Sequence, residues 1–226
     1  MKWISVLIVI LVSLGCAANK VDVAKEAVES TVGVKEEVYY RGVNTYPGNV
    51  VCGEAQIIGS WTSGVDFHPF IFRDDILYSR PSIDDETFFC SEDPAAALYQ
   101  TTGINAAVKS ESLQSIEADY ALLVGALEQY HANNYSYPTS GSGLSSLVGA
   151  GSGREKSGPL ADGGYLTEVP VDPWGRAYEY TGPGMGGIKS TFKLLTLGAD
   201  GERGGRDEDA DVGHWQMKYL QHIESI

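Results

Sequence analysis

The sequence predicts an α+β fold: one long amphipathic helix packed on a small antiparallel sheet, preceded by a small disulfide-stapled module. Three observations predict it. Between Ala106 and Asn133, residues Leu113, Ile116, Tyr120, Leu123, Leu127 and Tyr130 recur every three or four positions, which is one apolar stripe on a helix of several turns. After it, short strand-like runs near 165–169 and 177–181 alternate with tight turns and end in TFKLLTL (191–197), rich in β-branched, aromatic and leucine residues. Ahead of it, residues 41–104 hold two cysteines, Cys52 in a strand-like run and Cys90 closing the helix-like IDDETFFC behind an N-cap at Ser82.

Composition narrows the function classes. The 226 residues carry 16 Lys and Arg against 30 Asp and Glu, a formal net charge of -14. Nucleic acid and anionic lipid headgroups are both poor electrostatic partners for such a chain. An apolar content of 43% is enough for a packed core. Three cysteines are too few for a disulfide-dense scaffold or a four-cysteine zinc site.

The elements follow in order. Residues 1–16, MKWISVLIVILVSLGC, join one lysine to an apolar run too short to span a bilayer. The run resembles a bacterial lipoprotein signal, which implies cleavage before Cys16 and acylation of its thiol. Gly15 fits that pattern and Ser13 departs from it; an ordinary secretory signal cut near Ala17-Ala18 is the alternative. Either way the chain is expected to be exported, and acylation anchors it on the periplasmic side of the envelope without a spanning helix. Ala17 rather than Asp after the cysteine favours the outer membrane. Residues 17–40 are small, polar and charged with irregular valines, and are expected to be a tether with at most one marginal helix.

Residues 41–104 are the stapled module. In an oxidising compartment, with Cys16 spent on lipid, the remaining thiols are even in number, and a Cys52–Cys90 bridge is expected. By chain entropy it contributes about 4 kcal/mol. Two separate buried thiols are the other reading. His68 lies between the cysteines, but no CxxC accompanies it, so thiol catalysis is not expected.

Residues 105–226 form the second domain. The ordered motifs YPT…GL..LV (137–148), GGYL…P.DPWG..Y.Y (163–180) and LLTLGADGERGGRDEDADVGHW (194–215) resemble the globular domain of the major pseudopilin of type II secretion systems, over about Glu111 to Trp215. The resemblance implies a helix on a small antiparallel sheet ending in a calcium loop that stabilises the domain. One feature departs from that family. Nothing like its GFTLIE assembly helix occurs, and residues 107–115 (AVKSESLQS) are polar, so packing into a pseudopilus core in the usual way is not expected.

The acidic stretch 198–213, GADGERGGRDEDADVG, holds six carboxylates and two arginines. Calcium takes six to eight oxygens from carboxylates and carbonyls on a wrapping loop. Asp200 at one end and Asp209 with Asp211 at the other can converge across Gly204-Gly205, and an extended backbone aims Asp209 and Asp211 to one side. Main-chain oxygens near Leu197 and Asp207 complete the expected shell. On composition alone a solvated acidic loop explains the run equally well; the resemblance favours calcium. An EF-hand fails because position 12, Asp211, is not Glu and a strand precedes the loop.

Other signals carry no chemistry. GPGMGG (182–187) is followed by a strand rather than a helix and is expected to be a hairpin loop. Neither Ser142 nor Ser152 sits in G-x-S-x-G, and His131, His214 and His222 lack metal-site spacing. Asp172-Pro173-Trp174-Gly175 is expected to be a turn with a tryptophan anchor. The chain is therefore expected to be a non-enzyme: an exported, lipid-anchored, calcium-binding structural or accessory protein of type II secretion or a pilus-like assembly. The rival is a stand-alone calcium-binding envelope lipoprotein that uses the fold to bind a ligand or surface.

Overall fold

The computed structural model describes residues 19–33, 35–59, 66–149, 164–183 and 191–226. The leader 1–16 with Cys16, Ser152, and residues 184–187 of the glycine run lie outside the described residues. The chain divides into two compact units between Cys90 and Ser91.

The first unit is a four-stranded antiparallel meander with a helix on each face. Its elements are helix α1 (Lys20–Glu29), strands β1 (Glu37–Tyr46), β2 (Val50–Ile58), β3 (His68–Arg73) and β4 (Ile76–Ser79), and helix α2 (Ile83–Phe89). Alternation along the strands separates two half-cores. Val51, Ala55, Phe70 and Phe72 face α1 and pack with Ala24 and Val28. Val50, Cys52 and Ile71 point the other way, toward α2, where Phe88 and Phe89 are buried. The Ser82 hydroxyl accepts the Asp85 N–H at 3.1 Å and starts α2 as its N-cap. The bridge joins Cys52 in β2 to Cys90 just past α2, with Cα atoms 5.8 Å apart. The Cys52–Cys90 expectation is met.

Two sequence expectations change here. The stretch expected as a tether contains α1 and the start of β1. Its valines look irregular because only Ala24 and Val28 are fully buried, while Val21, Val23 and Ala27 pack partly against the sheet. Ten residues do not hold a helix in water alone, so the sheet makes this one. The module's end also moves from 104 to 90. Helix α3 (Pro94–Thr102) belongs to the second unit, where Leu98 and Ile104 are buried.

The second unit is built on α4 (Glu111–Asn134). It starts at a Ser110 cap whose hydroxyl accepts the Leu113 N–H at 3.2 Å, five residues later than the apolar pattern suggested. Its buried face is Leu113, Ile116, Tyr120, Leu123, Ala126 and Leu127, the expected stripe apart from a half-buried Tyr130. The helix lies on a three-stranded antiparallel sheet in the order β5 (Glu179–Thr181), β6 (Lys193–Thr196), β7 (Val212–Gly213). Tyr120 ties the layers: its buried hydroxyl donates to the Val212 carbonyl at 2.5 Å, and its ring lies 5.1 Å from that of Tyr178. The Tyr178 hydroxyl donates to Asp119 on the same helix at 2.7 Å. Helix α5 (Met217–Ser225) closes the unit with Tyr219 and Leu220 buried. The strand expected at 165–169 is only one bridge, Leu166 beside Val148. Pro170 follows and has no N–H to extend a ladder.

A prediction follows for the first unit. Replacing both cysteines, Cys52→Ser with Cys90→Ser, should lower its stability to urea by about 4 kcal/mol, the entropy of closing a loop of this length. An unchanged midpoint in urea unfolding refutes it.

Candidate functional site

The acidic loop is held from below by one buried carboxylate. Asp172 is 3% exposed. Its Oδ1 accepts the backbone N–H groups of Trp174 (3.1 Å) and Arg176 (2.8 Å), which closes the Asp-Pro-Trp-Gly turn. Its Oδ2 accepts the Thr196 hydroxyl at 2.7 Å, from the last residue of β6. The Arg176 Nε stands 3.5 Å from the same oxygen. The turn is thereby locked to the strand that leads into the loop.

Arg176 carries the connection further. Its guanidinium donates to the carbonyls of Ala199, at 3.2 Å, and of Gly198. Those carbonyls open the acidic loop. The loop then folds back on itself: Ala199 N–H donates to Glu208 O (2.7 Å), and Asp211 N–H to Gly204 O (3.0 Å). Gly198 (φ +64°) and Gly205 (φ +81°) both lie against the main chain of Asp209. A Cβ at either position would collide with that backbone, and both have left-handed φ, so glycine is required twice.

The structure places the expected ligands unequally. Asp211 is the inward one: its Oδ1 is removed from water and has no hydrogen-bond partner among the described residues. Leu197, half-buried, sits directly between β6 and the loop. Asp200 is exposed, and its Oδ1 accepts the Glu202 N–H at 2.9 Å. Asp209 is exposed, inside a 3-10 turn over Asp207–Asp209. That turn replaces the extended backbone expected there, so Asp209 and Asp211 do not share one side by strand alternation. Asp207 sends its carboxylate elsewhere, to the Asn105 amide (2.8 Å) and the Tyr99 hydroxyl (3.3 Å). Its main-chain oxygen accepts the Ala210 N–H. Among the described residues, no three His, Cys, Asp or Glu side chains group closely enough to hold a metal between them.

The loop nevertheless has features that suit calcium. A buried, unpartnered carboxylate oxygen is costly, and a cation beside Asp211 Oδ1 removes that cost. Calcium accepts main-chain carbonyls as readily as carboxylates, so a shell drawn mainly from the loop backbone does not need three converging acids.

A family model described as type II secretion system (T2SS), protein G, matches residues 104–215. The type II secretion system core protein G of Pseudomonas aeruginosa is 41% identical over 99 residues, covering 44% of this chain and 68% of that protein. This chain belongs to the type II secretion system protein G family. The core protein G of Vibrio cholerae is 39% identical over 108 residues, 48% of this chain and 71% of that one. The crystal structure of the major pseudopilin from the type 2 secretion system of enterohaemorrhagic Escherichia coli aligns at 32% identity with a TM-score of 0.34, covering 44% of this chain and 82% of that chain. Asp172, Arg176 and the whole acidic loop lie within the protein G match; α1, β1–β4, α2 and α3 lie outside it.

The protein G domain holds one more group of note. His214 follows β7, stacks on Phe192 with ring centroids 4.9 Å apart, and meets Trp215 and Tyr120 edge-on. Its Nδ1 accepts the Leu194 N–H at 3.1 Å, which requires the neutral ring. Burial pushes its pKa below the ordinary histidine value, and the neighbouring Lys193 ammonium acts in the same direction. Burial first, and then the hydrogen bond to Asp119, raise the Tyr178 phenol well above its usual range, so that hydroxyl stays a donor. Sequence reasoning missed Asp172, Arg176 and Asn105. The Asp-Pro-Trp-Gly string did signal the turn, but not that its first residue would be buried.

Two predictions test this frame. Asp172→Ala leaves two backbone N–H groups and the Thr196 hydroxyl without their acceptor, and should cost roughly 3 kcal/mol in urea unfolding; a loss below about 1 kcal/mol contradicts the hub role. For His214 the folded pKa is the lower one, so the unfolded chain binds the proton more tightly. Its contribution is complete above about pH 6.5 and is lost as the pH falls from there through the folded value. His214→Gln should flatten that part of a stability–pH curve; an unchanged slope refutes the assignment.

Proposed function

We propose that this protein is an exported, lipid-anchored, calcium-stabilised structural component acting beside a type II secretion assembly. Membership of the protein G family supports the secretion role. The sequence of the leader supports export and acylation at Cys16. No described helix is long and apolar enough to cross a membrane. Attachment is then through lipid at Cys16 on the periplasmic face, with the outer membrane favoured by Ala17. We assign no catalytic activity: the one hydroxyl–carboxylate pair described in the loop's support, Thr196 with Asp172, is buried and serves to lock the turn to β6. Its partners are then other envelope proteins of the secretion apparatus.

The observation that carries the calcium reading is the buried, unpartnered Oδ1 of Asp211. Asp211 anchors the ion, main-chain oxygens near Leu197 and Asp207 contribute further ligands, and Asp200 and Asp209 supply negative charge at the open side. The bound ion neutralises the loop's carboxylates and ties β6 to β7 across it, so its role is structural.

Thermal unfolding of the chain from residue 17 onward, in calcium and in EGTA, tests the reading. Extracellular calcium modules bind at about 10⁻⁴–10⁻³ M. At 10 mM calcium this gives about 1.4–2.7 kcal/mol of stabilisation, a rise in Tm of several degrees for a domain of this size. Asp211→Asn should abolish the rise, and Asp200→Ala should weaken it. Melting that is indifferent to calcium overturns the calcium reading and leaves the family membership intact.

A further inference from the structure

The second unit contains a cavity of about 200 Å³ beside the acidic loop, which shares Asp207 with the groups assigned to calcium but none of Leu197, Asp200, Asp209 or Asp211. Its walls are mostly apolar, with Ile104 and Val108 from the α3–α4 connection, Leu113 and Ile116 from α4, Trp174 from the turn and Val212 from β7, and Asn105, Ser110 and Ser112 add neutral polar groups. Ile104, Leu113, Ile116 and Val212 are buried, whereas Val108 at the opening is 70% exposed, a large apolar side chain left in water. The charged residues lining the cavity are Asp207 and Glu208, both acidic.

Size selects the kind of occupant. Sites for whole small molecules run to about 300–1,000 Å³, more than this cavity offers. An apolar cavity of about 150 Å³ suffices for one benzene ring. The space therefore suits a single large apolar side chain, and Trp174 in its wall favours an aromatic one. Charge selects the neighbours of that side chain. The Asp207 carboxylate is already engaged by Asn105 and Tyr99, but Glu208 is exposed on the rim. With a net charge of -14 on the whole chain, the mouth attracts cations and repels a second copy of the same protein.

We propose that this cavity is a docking socket for a partner protein's aromatic side chain flanked by lysine or arginine. The socket goes beyond the secretion and calcium readings and does not need either. Its apolar walls come from helix, turn and strand residues packed by the fold.

NMR titration of the chain from residue 17 onward tests it, with two capped tripeptides as probes, Lys-Phe-Lys and Glu-Phe-Glu. The Lys-Phe-Lys peptide should bind at least ten-fold more tightly, shifting the Trp174 indole N–H and the methyl signals of Ile116 and Val212. The difference should shrink in 0.5 M salt, where charges are screened beyond a few ångströms. Glu208→Lys, at an exposed position, should reverse the preference while signals away from the cavity stay in place. Repeating the titration in EGTA reads the loss of an ion apart from the loss of docking. Equal binding of the two peptides, or no shift at Trp174 at millimolar peptide, overturns the proposal.

Discussion

The protein G domain depends on a charge taken out of water. Asp172 is buried, and an ionised carboxylate there is tolerable only because every side of it is occupied by a donor: two backbone N–H groups, the Thr196 hydroxyl and the Arg176 guanidinium. Those donors come from the turn and from β6. Satisfying the charge therefore fixes the turn against the strand. Arg176 then passes the constraint to the first carbonyls of the acidic loop. The loop's position follows from the solvation of one carboxylate two dozen residues earlier.

Around this hub, polar ties and apolar packing divide the work. The stripe on α4 buries Ile116, Leu123 and Leu127 almost completely, and each such side chain contributes about 1.5–3 kcal/mol. That burial is non-directional and would allow the helix to slide or rotate over the sheet. The Tyr120 bond to Val212 and the Tyr178 bond to Asp119 set its register. The first unit solves the same problem covalently. Its sheet is thinly covered by two short helices, and the Cys52–Cys90 bridge holds α2 to β2, as a core of that size requires.

Much of this was legible in the residues. The α4 stripe has strict three-four spacing, the Ser82 cap and the TFKLLTL strand carry local signals, and the motifs from Tyr137 to Trp215 pointed to the pseudopilin family. Helix α1 was legible only as a marginal helix within a tether, because its ten residues acquire an apolar face only once β2 and β3 are beneath it. The unit boundary was missed for a related reason. Asn105 and Tyr99 meet Asp207 about a hundred positions away, and no local pattern reports a contact of that range.

For the candidate site, composition by itself determined that the loop is acidic, rich in glycine and able to wrap, since charge and φ freedom belong to individual residues. Which carboxylate turns inward was decided only by tertiary structure. Asp209 is caught in a 3-10 turn, Asp207 is diverted to Asn105, and Asp200 caps its own loop, so Asp211 alone of these has an oxygen shut away from water without a partner among the described residues. Burial depends on what the rest of the chain packs around a side chain, and spacing along the sequence does not encode it.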